Sequence, residues 1–127
     1  MSLYDPRLYN PHTDKPALSA RLAVDEGRRV VCYCAAWCRT CDAWHTLFER
    51  LAQKHADWTF IWVDIEDNPE WLGDEDVEDF PTLLIQDATG TRFWGPQPPM
   101  AEALQRLLEH AGQLPVLHVG PGRVEDF

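Results

Sequence analysis

Four cysteines are the residues of this sequence best suited to chemistry, and they lie within ten positions, at 32, 34, 38 and 41. Clustered cysteines build a structural disulfide framework, hold a metal ion or exchange disulfides. Disulfides that stabilise a fold usually close longer loops, because a short loop constrains the unfolded chain less. The clustering therefore favours chemistry at a site over a purely structural framework.

Two of these residues form a Cys-x-x-Cys motif within Trp37-Cys38-Arg39-Thr40-Cys41. The motif is predicted to lie where a buried strand gives way to a helix. A separation of three residues at a helix start places both sulfurs on one side of the first turn. The free amides and the dipole of that turn stabilise a thiolate. We expect Cys38 to be the nucleophile and Cys41, one turn deeper, to resolve the mixed disulfide.

The pattern before and around the motif predicts alternating helices and strands. Residues 1–14 predict an extended arm, followed by a helix that begins at Thr13 or Asp14 and ends at Gly27. The β-branched and aromatic run at 29–35 predicts a central strand that is buried on both faces.

Beyond the motif, the pattern predicts a helix at residues 37–55, a strand at 59–63 and a short helix at 69–72. A hairpin with strands at 82–85 and 91–94 and a last helix at 99–111 follow. Residues 113–127 predict a C-terminal tail, so the domain spans 15–112. Strands joined through helices run parallel, whereas hairpin strands run antiparallel. The sequence thus predicts an α/β fold with a mixed sheet of four or five strands and helices on both faces.

Composition limits the class of partner. The chain has 21 acidic and 11 basic residues, a formal charge of −10, which disfavours nucleic acid. No apolar run approaches the ~18 residues of a membrane span. The first residues do not form a signal peptide. We expect a cytoplasmic monomer, with the periplasm as the alternative if a signal peptide has been removed.

Three stretches together resemble thioredoxins: the strand at 30–37, the Trp-Cys-x-x-Cys motif at 37–41, and Phe80-Pro81-Thr82 at the start of a strand. The resemblance covers about residues 17–111. Tyr4-Asp5-Pro6 followed by a helix is also similar to certain bacterial thioredoxin-like proteins.

The resemblance implies a thioredoxin-like fold and a protein thiol–disulfide oxidoreductase active in cell redox homeostasis. Its substrates would be protein disulfides and its electrons would come from a protein donor, with no organic cofactor and no metal. It implies that Pro81 is cis and lies against the redox pair, and that Phe80 presents backbone to the substrate. Trp37 would border the active site.

The chain departs from the family pattern at several positions that tune the redox pair. Arg39 and Thr40 replace a Gly-Pro pair, and the charge of Arg39 favours a Cys38 thiolate and a more oxidising pair. Nine carboxylates without a Lys or Arg at residues 64–79 oppose this effect. They are interpreted as a solvated rim that also selects basic partners. The family's buried carboxylate falls on Cys32 and its lysine partner on Trp62.

Several alternatives remain open from the residues alone. Cys32 and Cys34 share one face of a strand, either as small buried apolar residues or with Cys32 as a third redox thiol that exchanges with Cys41. Four converging thiols also suit zinc or an iron–sulfur cluster. A thioredoxin-like binding module with little redox activity is a further alternative. His45, one turn after Cys41, is interpreted as a half-exposed helix residue.

Overall fold

Five strands form one mixed sheet in the computed structural model, which describes residues 7–127. In chain order the strands are β1 (Leu8–Tyr9), β2 (Arg29–Cys34), β3 (Thr59–Asp64), β4 (Thr82–Asp87) and β5 (Gly90–Pro96). Their spatial order is β1-β3-β2-β4-β5; β3 runs parallel to β1 and β2, β4 antiparallel to β2, and β5 antiparallel to β4. The predicted mixed sheet is therefore confirmed, with five strands.

The first strand lies inside the segment predicted as an extended arm, where Leu8 and Tyr9 pair with β3. A two-residue strand is too short to show a period of two, so the sequence pattern did not reveal it. Residues 1–6 of that arm, with Tyr4-Asp5-Pro6, lie outside the described residues.

Three helices pack on the sheet: α1 (Lys15–Leu22), α2 (Arg39–Lys54) and α3 (Ala101–Glu109), with a short 3-10 helix at Pro69–Leu72. The prediction that α1 ends at Gly27 is wrong. The helix ends at Leu22, and the chain then turns through Glu26 and Gly27, which have positive φ of 59° and 86°. The Asp25 carboxylate accepts a hydrogen bond from the Gly27 N–H at 3.0 Å and stabilises this turn. Within residues 7–127, no helix has both the length and the apolar composition needed to cross a membrane.

The alternation of β2 divides the interior into two cores, one on each face of the sheet. Val30, Cys32 and Cys34 face the core under α2 and α3. Val31 and Tyr33 face the other core, which lies under α1 and the 3-10 helix. All six residues of β2 are buried, as expected for a central strand covered on both faces.

The segment predicted as a C-terminal tail packs against the sheet instead of leaving it. The buried Gln86 amide donates to the Gly122 carbonyl at 2.6 Å, and its oxygen accepts from the Val124 N–H at 3.1 Å. Val124 is buried in the second core, and the Phe127 ring lies 5.1 Å from that of Trp71. The last residues therefore complete the face that α1 and the short 3-10 helix cover only in part.

A buried ion pair anchors the start of β2. The Arg29 guanidinium donates to both carboxylate oxygens of Asp25, at 2.9 and 3.0 Å, and also pairs with Glu125. The Thr59 hydroxyl donates to the same carboxylate at 2.9 Å and accepts from Arg21 at 2.9 Å. This network joins α1, two strands and the C-terminal segment at the end of the sheet remote from the cysteines.

Candidate functional site

The junction between β2 and α2 positions the cysteines. Cys34 is the last residue of β2, Cys38 is the N-cap of α2 with extended backbone, and Cys41 lies in the first helical turn. Cys38 is partly exposed, whereas Cys41 is 1% exposed. The structure therefore agrees with the expected placement of both motif cysteines at a strand–helix junction, with Cys38 outermost.

A disulfide joins Cys34 to Cys41 in this structure, with their Cα atoms 6.0 Å apart. This differs from the Cys38–Cys41 pair expected from the motif; Cys38 is a free thiol here. Cys34 belongs to the core on which α2 packs and lies beneath its first turn. Cys38, the N-cap residue, has extended and not helical backbone, and it lies nearer the surface.

Cys32 lies behind this bridge and does not contribute to it. Its side chain is completely buried and its sulfur is 3.7 Å from the sulfur of Cys34. Burial raises the pKa of the Cys32 thiol far above its ordinary value, so this group stays protonated. The expected common face of Cys32 and Cys34 is confirmed, but the residue that the fold brings to Cys41 is Cys34.

Aromatic side chains border the free thiol. Trp37, directly before Cys38, is 67% exposed, and its ring meets that of Phe80 edge to face at 5.5 Å. The Phe80–Pro81 peptide bond is cis, the isomer that the resemblance implied. Phe80 and Cys38 both pack against the first core. Of the residues expected to contact substrate, Trp37 and Phe80 thus form an aromatic pair beside Cys38 in the chain and in the first core, whereas Pro81 is buried.

A surface cavity of about 310 Å³ is lined by Cys41. Its lining includes the side chains of Asp42, His45 and Asp64. His45 is half-buried, as predicted, and its ring lies 4.6 Å from that of Trp62. The side chains of Asp42, His45 and Asp64 thus lie in the same cavity as Cys41, whereas the position of the family's buried carboxylate is occupied by Cys32.

Sequence reasoning missed two residues of this site, Cys34 as the partner of Cys41 and Asp64 in the cavity. Asp64 is the register partner of Cys34 across β2 and β3. Both residues end their strands, and the ends of parallel neighbouring strands meet at one edge of a sheet. The position of Cys34 and Asp64 at the ends of two neighbouring parallel strands is the sequence signal that could have identified both residues.

The two residues between the motif cysteines, Arg39 and Thr40, are exposed in the first turn of α2. Their influence on the redox pair stays a prediction. The acidic segment lines a groove of about 250 Å³, with Asp76, Glu78 and Asp79 in its wall. Asp79 directly precedes Phe80 in the chain.

Metal binding was the alternative use of the four thiols. In the part of the chain that the structure describes, no group of three or more His, Cys, Asp or Glu side chains has an arrangement that could hold a metal ion. Cysteine ligates a metal as a thiolate. Two of the four sulfurs are bonded to each other in this structure and are therefore not thiolates.

Comparison with known proteins gives consistent results for sequence and fold. The Thioredoxin family model matches residues 12–106. Thioredoxin of Mycoplasmoides gallisepticum is 32% identical over 73 residues, which are 58% of this chain and 72% of that protein. The short form of thioredoxin f from spinach chloroplast has a similar fold, with a TM-score of 0.68 at 18% identity over 88% of this chain and 99% of that one. A chain in the complex of ferredoxin:thioredoxin reductase and thioredoxin f2 matches with a TM-score of 0.65 at 16% identity, over 87% of this chain and 99% of its own length.

Proposed function

Because the chain belongs to the thioredoxin family and is a protein thiol–disulfide oxidoreductase, we propose that Cys38 opens the substrate disulfide and that Cys41 resolves the mixed disulfide. The observation that carries this proposal is the state of Cys38, a free and partly exposed thiol at the N-terminus of α2. The free amides and dipole of a helix start favour the thiolate that attacks disulfides. Cys41, one turn deeper and buried, is out of reach of a protein substrate until Cys38 has reacted.

The substrate chain is proposed to lie against Trp37, Phe80 and Pro81. The exposed edge-to-face pair of Trp37 and Phe80 offers apolar contact area next to the nucleophile. Aromatic side chains in such positions commonly carry a large share of protein binding energy. The carboxylates of the neighbouring groove favour substrates whose disulfide is flanked by basic residues.

Thioredoxins work with protein substrates and with reductases such as ferredoxin:thioredoxin reductase. We propose that this chain acts as a reductant that receives its electrons from a protein donor and needs no organic cofactor. Two of the four cysteines are unpaired, which suits a reducing compartment such as the cytoplasm; the periplasm is the alternative. A monomer is proposed because the large apolar side chains exposed within residues 7–127 are scattered over separate elements.

Reduction of insulin disulfides by dithiothreitol, catalysed by the chain, tests this function. Cys38→Ser is expected to lower the catalysed rate by roughly 100-fold or more, because the nucleophile is lost. Cys41→Ser is expected to accumulate a mixed disulfide between Cys38 and the substrate, visible by mass spectrometry. Cys32→Ala is the matched control, since it removes a cysteine without touching the exposed thiol.

Two outcomes would contradict the proposal. Catalysis that survives Cys38→Ser means that another group is the nucleophile. A folded wild-type chain that neither catalyses reduction nor forms the mixed disulfide means that it is a binding module. The replacement of the family's carboxylate and lysine by Cys32 and Trp62 is the observation that favours this second function.

A further inference from the structure

We propose that Cys34 is a third redox residue, which replaces Cys38 as the disulfide partner of Cys41. The oxidised chain then stores its disulfide as a buried Cys34–Cys41 bridge and returns Cys38 to the free thiol. This inference rests on the proposed function, in which Cys38 and Cys41 open the substrate disulfide.

Cys41 has two possible partners. One is Cys34 at the end of β2, which is bonded to it in this structure. The other is Cys38, three residues earlier at the start of the same helix and closer to solvent. A sulfur with two such partners can pass its disulfide from one to the other by exchange.

The burial of the three cysteines determines which of the two disulfides another protein can reach. Cys34 and Cys41 are each 1% exposed, whereas Cys38 is partly exposed. A disulfide between Cys38 and Cys41 is open to proteins that approach the surface. A disulfide between Cys34 and Cys41 is covered by the first turn of α2, so access to it runs through Cys38.

The reaction balances in three thiol exchanges. The Cys38 thiolate attacks the substrate disulfide, which forms the mixed disulfide and releases one substrate thiolate. The Cys41 thiolate attacks the Cys38 sulfur, which forms Cys38–Cys41 and releases the second substrate thiolate. The Cys34 thiolate then attacks the Cys41 sulfur, which forms Cys34–Cys41 and releases the Cys38 thiolate. The substrate disulfide gains two electrons, Cys34 and Cys41 lose two, and their two protons pass to the substrate thiols.

Reduction retraces the last step. The Cys38 thiolate attacks Cys41, which frees the Cys34 thiolate and brings the disulfide back to the surface, where a donor dithiol reduces it. The oxidised chain therefore keeps one nucleophilic thiol at its surface. A chain oxidised only to Cys38–Cys41 has none there, because Cys32 is completely buried.

Cys32 does not replace Cys34 in this sequence of steps. Its sulfur lies next to Cys34, while Cys34 is the residue bonded to Cys41. Cys32 thus supplies a matched control for Cys34 on the same strand and face.

Disulfide mapping tests the proposal directly. The fully reduced chain is mixed with one equivalent of insulin disulfide, quenched with acid at successive times, alkylated and mapped by peptide mass spectrometry. The expected result is Cys38–Cys41 first and Cys34–Cys41 later, with Cys38 and Cys32 alkylated at the end. Persistence of Cys38–Cys41 alone would overturn the proposal and leave the proposed function standing.

Counting surface thiols gives a second readout on the native, oxidised chain. A maleimide label is expected to react with one thiol per wild-type chain and per Cys32→Ala chain, and with none in Cys34→Ala. One reactive thiol in oxidised Cys34→Ala would contradict the proposal, because Cys38 would then be free without help from Cys34.

The route through Cys38 has its own test in the pre-formed bridge. Dithiothreitol is expected to reduce Cys34–Cys41 roughly tenfold or more slowly in Cys38→Ser than in the wild type, because access limits exchange. Equal rates would show that Cys38 takes no part and would overturn the relay. Loss of insulin reduction in the wild type, in contrast, is a failure of the proposed function.

Discussion

The indole N–H of Trp37 donates a hydrogen bond of 2.9 Å to the carboxylate of Glu66. This contact joins the residue directly before Cys38 to the acidic segment that follows β3. The indole ring is two-thirds exposed and meets the ring of Phe80 edge to face. We therefore expect aromatic contact at Trp37 and negative charge at Glu66 to act together when a substrate binds.

Trp37→Ala is expected to lower kcat/KM for a protein disulfide about tenfold, equivalent to about 1.4 kcal/mol, because the exposed ring supplies contact area. The reaction of Cys38 with a small maleimide is expected to stay unchanged. Met100→Ala, which removes a 54% exposed apolar side chain at the start of α3, is the control. An equal loss toward both reagents would mean that Trp37 acts on the thiol and not on substrate binding.

Reversing charges in the acidic groove is expected to change partner selection. In a variant with Asp76, Glu78 and Asp79 replaced by lysine, kcat/KM falls for a basic disulfide peptide and rises for an acidic one. Both differences shrink as salt is added, because ions screen exposed charges over about 10 Å at 0.1 M. Glu109→Lys on α3 is the control. Rates that do not respond to the three changes would identify the carboxylates as a solvated surface only.

The buried pair of Asp25 and Arg29 predicts a large difference in stability between a buried ion pair and an exposed one formed by the neighbouring Arg28. Asp25→Ala leaves the Arg29 charge, 5% exposed, without its fully buried partner, and is expected to lower the free energy of unfolding by about 3–5 kcal/mol. Asp57→Ala removes the exposed partner of Arg28, and about 0–1 kcal/mol is expected. Chemical denaturation measures both, and similar losses would show that burial does not control this pair.

Glu125 predicts how stability changes in acid. Partial burial raises its pKa, but hydrogen bonds from its own backbone and from Arg123, with the charges of Arg29 and Arg123, outweigh this effect and hold the pKa below its ordinary 4.5. A carboxylate with a lowered pKa stabilises the fold above its unfolded value and loses that contribution as the pH falls through its folded value. The wild type is therefore expected to lose more stability than Glu125→Gln as the pH falls from 4.5. Equal acid profiles in thermal denaturation would contradict this.

Much of the fold follows from local patterns along the chain. Alternation in β2 placed Cys32 and Cys34 together on one face, and the helical spacing of Trp44, Phe48 and Leu51 directed α2 to the same core. These patterns are readable because neighbouring side chains alone determine which face of a strand or helix is apolar. The turn residues correctly predicted the hairpin. They did not predict the end of α1, because the turn at Gly27 depends on a hydrogen bond to the Asp25 carboxylate.

The sequence by itself determined a thioredoxin-type arrangement with Cys38 at a helix start and Cys41 one turn deeper. Only the tertiary structure decided that Cys34 is the residue bonded to Cys41, and that the last residues cover one face of the sheet through Gln86 and Val124. Both relationships join segments whose separation in space is set by how helix and sheet pack. The periodicity of the sequence predicts which face of a strand or helix a side chain occupies. The distance between two side chains on different elements is set only when the helices and the sheet pack together.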